Sequence, residues 1–175
     1  NGLHKDVQMG PLISKESKER ISQLISRAIK EGAELLYDGR KVQKKTKGYF
    51  MAPIVLANIH KDMEIAQVEI FGPVILLAKT ESLSTAISWI NSLELANTAT
   101  IFTNSGAHAR KFSAELDPSM IGINIGVPAP MSFFSFGGSK SSFFGDIKVH
   151  GRQCIPFFTD SCTTIYRWHN ENNIW

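Results

Sequence analysis

The stretch Glu69-Ile70-Phe71-Gly72-Pro73-Val74-Ile75-Leu76-Leu77-Ala78 decides how this chain is read. Its second half is an unbroken apolar run released by a Gly-Pro turn, the pattern of a strand buried in a parallel sheet. Its first half, preceded by Val68, sets an acid and an aromatic ring beside that turn. A carboxylate accepts hydrogen bonds from two neighbouring hydroxyls, such as those of a ribose. A phenyl ring two residues later covers a flat heteroaromatic ring. Glu69 and Phe71 are therefore candidate binding residues. A solvated acid, a core Phe and an ordinary turn is the plainer reading of the same residues.

The same grammar continues on both sides. Downstream, Val74 to Lys79 reads as a buried strand, and Ser82 caps a helix with Leu83, Ala86, Ile87 and Ile90 on its inner face. Thr98 to Thr103 is the next strand, Gly106 to Leu116 the next helix, and Ile121 to Ile125 another strand. Upstream, Gly10-Pro11-Leu12-Ile13 is extended and Ser14 caps a helix beginning near Lys15. Ile21, Leu24, Ile25, Ala28 and Ile29 recur at three- and four-residue spacing, and Gly32 supplies the stop. Leu35-Leu36-Tyr37 reads as a short strand closed by Asp38-Gly39, and Tyr49-Phe50 with Pro53-Ile54-Val55-Leu56 as a second extended piece. Alternating β and α elements with short connections predict an α/β fold with a parallel sheet built by right-handed crossovers.

From Val127 the character changes. An aromatic, glycine-rich loop runs from Phe133 to Gly145. Ile155 to Trp168 is β-branched and aromatic, which predicts one or two long strands. Such a strand at a terminus is an exposed edge unless covered, so an oligomer is expected. His169 to Trp175 reads as a frayed tail.

Composition narrows the function classes. With 175 residues, one domain would bury roughly 70% of its extended surface. A net charge of +3 and the lone cluster Lys41-Val42-Gln43-Lys44-Lys45-Thr46-Lys47, read as a solvated loop, argue against nucleic acid as a partner. The two cysteines, Cys154 and Cys162, fit neither a disulfide scaffold nor a zinc module. Cys154 lies at the start of the apolar terminal strand, so a packed, inert thiol outweighs a catalyst activated by Arg152. The histidines, His4, His60, His108, His150 and His169, are scattered as surface residues, and no metal site is expected.

No apolar run is long enough to span a membrane. With no leader pattern, a cytoplasmic setting is expected, or the mitochondrial matrix in a eukaryote. A chain starting Asn1-Gly2-Leu3-His4 reads as the interior of something longer. The loop Gly137-Gly138-Ser139-Lys140-Ser141 lacks the glycine spacing of a phosphate cradle, and no G-x-G-x-x-G opens a helix. A tight turn with Lys140 as a surface charge is one reading of it.

Taken in order, the landmarks resemble the C-terminal part of an aldehyde dehydrogenase. They are Gly10-Pro11-Leu12-Ile13, Glu31-Gly32-Ala33, Gly48-Tyr49-Phe50 with Pro53, Glu69 to Val74, Ile101-Phe102-Thr103, Gly122-Ile123-Asn124, Phe136 to Lys140, and Phe158-Thr159. Within that family, Ser142-Phe143-Phe144-Gly145-Asp146 and the tail from Phe157 to Trp168 are most similar to the coenzyme A-acylating, methylmalonate-semialdehyde branch.

The resemblance implies residues 1–151 as part of a catalytic domain, 152–168 as a β-strand oligomerisation arm, and 169–175 as tail. It implies a dimer or tetramer acting on a small-molecule aldehyde, with NAD as cofactor and coenzyme A as acyl acceptor. In the complete enzyme a cysteine thiolate would attack the aldehyde, hydride would pass to NAD, and the thioester would go to coenzyme A. Glu69 would match the ribose-holding glutamate, Phe71 the ring beside the nicotinamide, and Phe136 with Gly137 the substrate-mouth loop.

The nucleophilic cysteine and the dinucleotide-binding domain would precede Asn1. The chain alone would then be inactive, and neither Cys154 nor Cys162 would be catalytic. Leu95-Ala96-Asn97 in place of Tyr-Gly-Asn, and Val68 in place of a second acid, depart from the family pattern. They leave open a degenerate copy acting only in assembly. A generic NAD(P)-dependent member releasing its thioester to water is the other alternative.

Overall fold

A computed structural model describes residues 5–41 and 48–168 of the chain. The basic cluster at 42–47 and the tail at 169–175 lie outside the described residues.

Helix α1 (Lys15–Lys30) starts where the sequence places it. The Ser14 side chain accepts the Ser17 N–H at 3.1 Å, satisfying one of the donors that a first helical turn leaves orphaned. Ile21, Leu24, Ile25 and Ala28 form its buried face, whereas Ile29, expected on that face, stays partly exposed. Gly32, with φ +109°, lets the chain reverse into strand β1 (Glu34–Asp38).

β1 pairs antiparallel with β2 (Ile54–Ala57) through an irregularity between Leu35 and Tyr37. One helical turn, α2 (Glu64–Gln67), connects β2 to β3 (Val74–Leu76), which lies parallel to it with Ile54 opposite Val74. The sheet order is β1-β2-β3. Its core joins the α1 face to Met51, Ile54, Leu56, Ile59, Met63 and Ile65, all under 5% exposed.

A second unit follows. Helix α3 (Leu83–Ser92) is capped by Ser82 as expected, and β4 (Leu95–Ala96) follows it. Strand β5 (Thr98–Ile101), helix α4 (Gly106–Glu115) and strand β6 (Met120–Ile123) form a parallel β-α-β unit, with Thr98 opposite Met120 and Ile101 opposite Ile123. Asn124 closes it from the left-handed region, at φ +57°. Its amide accepts from the Thr103 N–H at 2.8 Å and donates to the Thr103 carbonyl at 3.0 Å. Asparagine tolerates this conformation because its short side chain bonds locally.

Three expectations need correction. The sheets are not uniformly parallel: β1-β2 is antiparallel, and so is the pair between β4 and β7 (Ser139–Lys140). The run from Val74 forms a short strand that is only half-buried among the described residues. Among the described residues β3 has a ladder partner on one side, and Ile75 and Leu77 are 55% and 45% exposed.

The terminal segment is not a strand at its start either. Gly151, at φ +67°, leads through a 3₁₀ turn (Gly151–Gln153) into a one-turn helix, α5 (Cys154–Phe158). Pro156 fits there because the first turn of a helix has no use for its missing N–H. From Thr159 to Trp168 the chain is exposed and finds no ladder partner among the described residues. A strand needs one.

Candidate functional site

The Glu69–Pro73 turn is anchored from below at successive residues. The Ile70 side chain packs against the core, and the Arg20 guanidinium donates to the Ile70 carbonyl at 2.6 Å. A β-carbon at Gly72 would stand 2.6 Å from Cδ1 of Ile21, so only glycine lets the turn lie this close to α1. The Pro73 carbonyl accepts the Ile54 N–H at 2.9 Å, joining the turn to β2.

Phe71 is held between these anchors with φ +56°, and its ring is 72% exposed. The left-handed region costs a bulky residue about 1 kcal/mol or more, so the surroundings impose this geometry. The ring lies outside the core cluster of the described residues. Glu69 is exposed too, and its carboxylate takes no hydrogen bond from any described residue. An available carboxylate and an available ring, two residues apart on a pinned turn, can hold a pair of hydroxyls and cover a flat ring.

The second predicted site lies on the loop after β6. Phe136 is 41% exposed, and its ring lies 5.6 Å from that of His150. Gly137 and Gly138 are buried. A β-carbon at Gly137 would come within 2.8 Å of Lys148 Cδ and 2.9 Å of Phe143. The Ser119 hydroxyl donates to the Gly137 carbonyl, and the Lys148 ammonium donates to that of Gly138 while lying 3.8 Å over the Phe143 ring. Behind the loop an open groove of about 950 Å³ is lined by Phe133, Phe134, His150, Arg152 and Cys154.

No hydrogen bond, ion pair or ring contact joins this loop to the Glu69–Phe71 turn among the described residues. The two predicted sites thus stand apart among the described residues. Cys154 is half-buried on α5 and Cys162 exposed beyond it, so they share no strand face. The described residues contain no cluster of metal ligands, and none of their helices is long and apolar enough to cross a membrane.

Sequence reasoning missed Lys140, read there as a possible surface charge. Its ammonium donates to the carbonyls of Asn91 at 2.5 Å and Leu93 at 3.2 Å, and pairs with Asp117 at 2.8 Å. Nothing in the local sequence signals this, since the partners lie far off in the chain.

The residues and their order are those of a known family. The model of the aldehyde dehydrogenase family matches residues 1–164, and the chain belongs to that family. It is 43% identical over 168 residues to a malonate-semialdehyde dehydrogenase of Halalkalibacterium halodurans, covering 96% of this chain and 35% of that protein. It is 40% identical over 169 residues to one from Bacillus cereus, with the same coverage.

Among solved structures, a Sinorhizobium meliloti protein assigned as a methylmalonate-semialdehyde dehydrogenase and complexed with NAD superposes with a TM-score of 0.88 at 36% identity, over 95% of this chain and 34% of that one. The methylmalonate-semialdehyde dehydrogenase of Oceanimonas doudoroffii gives 0.86 at 34% identity, over 92% and 33%. The chain therefore spans about a third of the length of the relatives it matches.

Proposed function

We propose that this chain is the C-terminal portion of an NAD-dependent, coenzyme A-acylating dehydrogenase of malonate or methylmalonate semialdehyde. One observation carries the reading: Glu69 and Phe71 stand exposed on a turn that Ile70, Gly72 and Pro73 hold rigid. An acceptor-only carboxylate suits two ribose hydroxyls, and a ring held at a fixed angle suits one face of a nicotinamide. When bound, NAD would supply the hydride acceptor for aldehyde oxidation.

Glu69 would orient the ribose, Phe71 would limit where the adjoining ring can lie, and Phe136 with Gly137 would shape the aldehyde's path. Positioning of this kind lowers a barrier by removing orientational freedom beforehand. The nucleophilic thiolate belongs to the part of the enzyme this chain does not span, so neither Cys154 nor Cys162 carries the acyl group. The chain alone is then inactive.

The exposed segment from Thr159 to Trp168 would serve as the oligomerisation arm. Ile165 and Trp168 are 90% and 89% exposed, and the rings of Tyr166 and Trp168 lie parallel with centroids 6.1 Å apart. Alternate residues of an extended segment share a face, so this one offers an aromatic edge for a neighbour's sheet.

The test uses the whole product of the gene that encodes this chain, given NAD and malonate semialdehyde with and without coenzyme A. NADH formation that requires coenzyme A and yields an acyl-coenzyme A supports the reading. Equal NADH with free acid as product would instead show thioester hydrolysis. No turnover by the whole product would favour an assembly role.

A further inference from the structure

We propose that Lys140 is a positioning residue that sets the substrate-mouth loop, acting through Asp117 and Asn91 on the backbone that carries Phe136. The inference rests on the functional reading above for the identity of the loop, and on geometry for everything else. An ammonium has three protons, and here each has a partner: Asn91 O at 2.5 Å, Leu93 O at 3.2 Å and Asp117 Oδ2 at 2.8 Å. Two of these acceptors lie at the C-terminal end of α3, where free carbonyls and the helix dipole favour a cation.

Asn91 extends the junction. Its side-chain amide donates to Glu115 O at 2.7 Å, and its Oδ1 accepts the Asp117 N–H at 3.0 Å. Asn91 thereby joins the ends of α3 and α4, and the Asp117 it holds is the one side chain that pairs with Lys140. Ser139 adds a hydroxyl within 3.0 Å of Ala96 O and 2.9 Å of Asp117 O, beside the β4-β7 pairing. Lys140 itself sits at φ +50°, a conformation that lysine adopts only under constraint.

The junction is three residues from Gly137 and four from Phe136. Ser119, which donates to the Gly137 carbonyl, is two residues beyond Asp117. Displacement of Lys140 or Asp117 would reach the backbone beside Phe136 along the chain through Gly137, which Ser119 holds. Loss of the ammonium would also strand its acceptors, so a neutral side chain of equal length disturbs the loop without making a cavity.

The test compares Lys140→Met, Lys140→Arg and Asp117→Asn with wild type in the whole gene product. Amide hydrogen exchange of peptides spanning 134–142 is followed beside a control peptide from α1. Loss of a charged hydrogen-bond junction is expected to accelerate exchange in the loop about tenfold in Lys140→Met. The α1 peptide should be unchanged. In the same variant the KM for the aldehyde should rise about tenfold, with kcat and the KM for NAD within about twofold of wild type. Lys140→Arg should recover most of both effects, and Asp117→Asn should reproduce the loop exchange.

Unchanged loop exchange in Lys140→Met would overturn the inference. So would a uniform rise in exchange with kcat and both KM values moving together, which marks general destabilisation. If wild type oxidises no aldehyde, the functional reading falls, and loop exchange alone upholds or overturns the role of Lys140 in holding the loop.

Discussion

Replacing Gly72 by Ala tests whether the turn and the core are one structure. The added methyl would lie 2.6 Å from Ile21 Cδ1 and an ordinary 3.6 Å from Leu12 Cδ2. Apolar carbons rest about 3.5–4.0 Å apart, so the overlap with Ile21 is about 1 Å. Ile21 is completely buried among Leu24, Ile25 and Ile54, so it cannot swing clear. Overpacking of this size costs about 1–3 kcal/mol. The gain from a less flexible unfolded chain offsets about 0.4–1 kcal/mol of that.

The net loss is about 1–2 kcal/mol, or a fall of about 3–6 °C in the thermal midpoint followed by circular dichroism. Ile21→Val removes the clashing carbon and by itself costs about 0.5–1.5 kcal/mol. The double variant should then be more stable than the sum of the single losses by about 1 kcal/mol. A single variant as stable as wild type, or strictly additive losses, would refute the claim that Ile21 dictates glycine at 72.

Three further outcomes are expected. Glu69→Gln and Phe71→Ala should each raise the KM for NAD of the whole enzyme about tenfold, which is about 1.4 kcal/mol. Thermal midpoints should stay put because both side chains are exposed, and a shift equal to that of Gly72→Ala would count against it. Cys154→Ser with Cys162→Ser should leave kcat of the whole enzyme within about twofold, as the proposed function requires of thiols that are not the nucleophile; loss of activity would reassign them. Glu16 is held below its ordinary pKa of 4.5 by a hydrogen bond to its backbone N–H and by the Ser14 hydroxyl. Its folded form therefore binds a proton less readily than its unfolded form, so its support of α1 is present above that value and fades as pH falls through the lowered one. Glu16→Gln should flatten this part of the pH dependence of unfolding, and an unaltered profile would contradict it.

Elements governed by local chemistry were legible in the sequence. Ser14 and Ser82 cap their helices, Ile21, Leu24, Ile25 and Ala28 face the core, and Gly32 ends α1 in a positive φ. Elements whose state depends on a distant partner were not. Val74-Ile75-Leu76 has the composition of a central strand, yet nothing in a run of apolar residues says whether one neighbour or two will be present. Cys154 to Phe158 favours strand by composition, but after Gly151 the segment has no ladder partner among the described residues, and a helical turn satisfies its own backbone. The short helix α2 was overlooked because four residues are too few to show a period. Lys140 escaped for the same reason as the edge strand, since its acceptors lie 49 and 47 residues away.

Phe71 joins the two kinds of information. The sequence placed an aromatic beside an acid and a Gly-Pro turn, which fits a core ring as well as a binding ring. The fold separates the readings by burial and by backbone. A core phenylalanine would gain about 1.5–3 kcal/mol by leaving water. Phe71 forgoes most of that at 72% exposure and also sits at φ +56°. Within the chain, neither the exposure nor the conformation is favourable, while Ile70 and Gly72 on either side are fixed by Arg20 and Ile21. Those neighbours hold the ring out, where it is available to a group that lies against it. A flat ring next to a pair of hydroxyls, one for Phe71 and the other for Glu69, is the ligand chemistry that the proposed function assigns to such a turn.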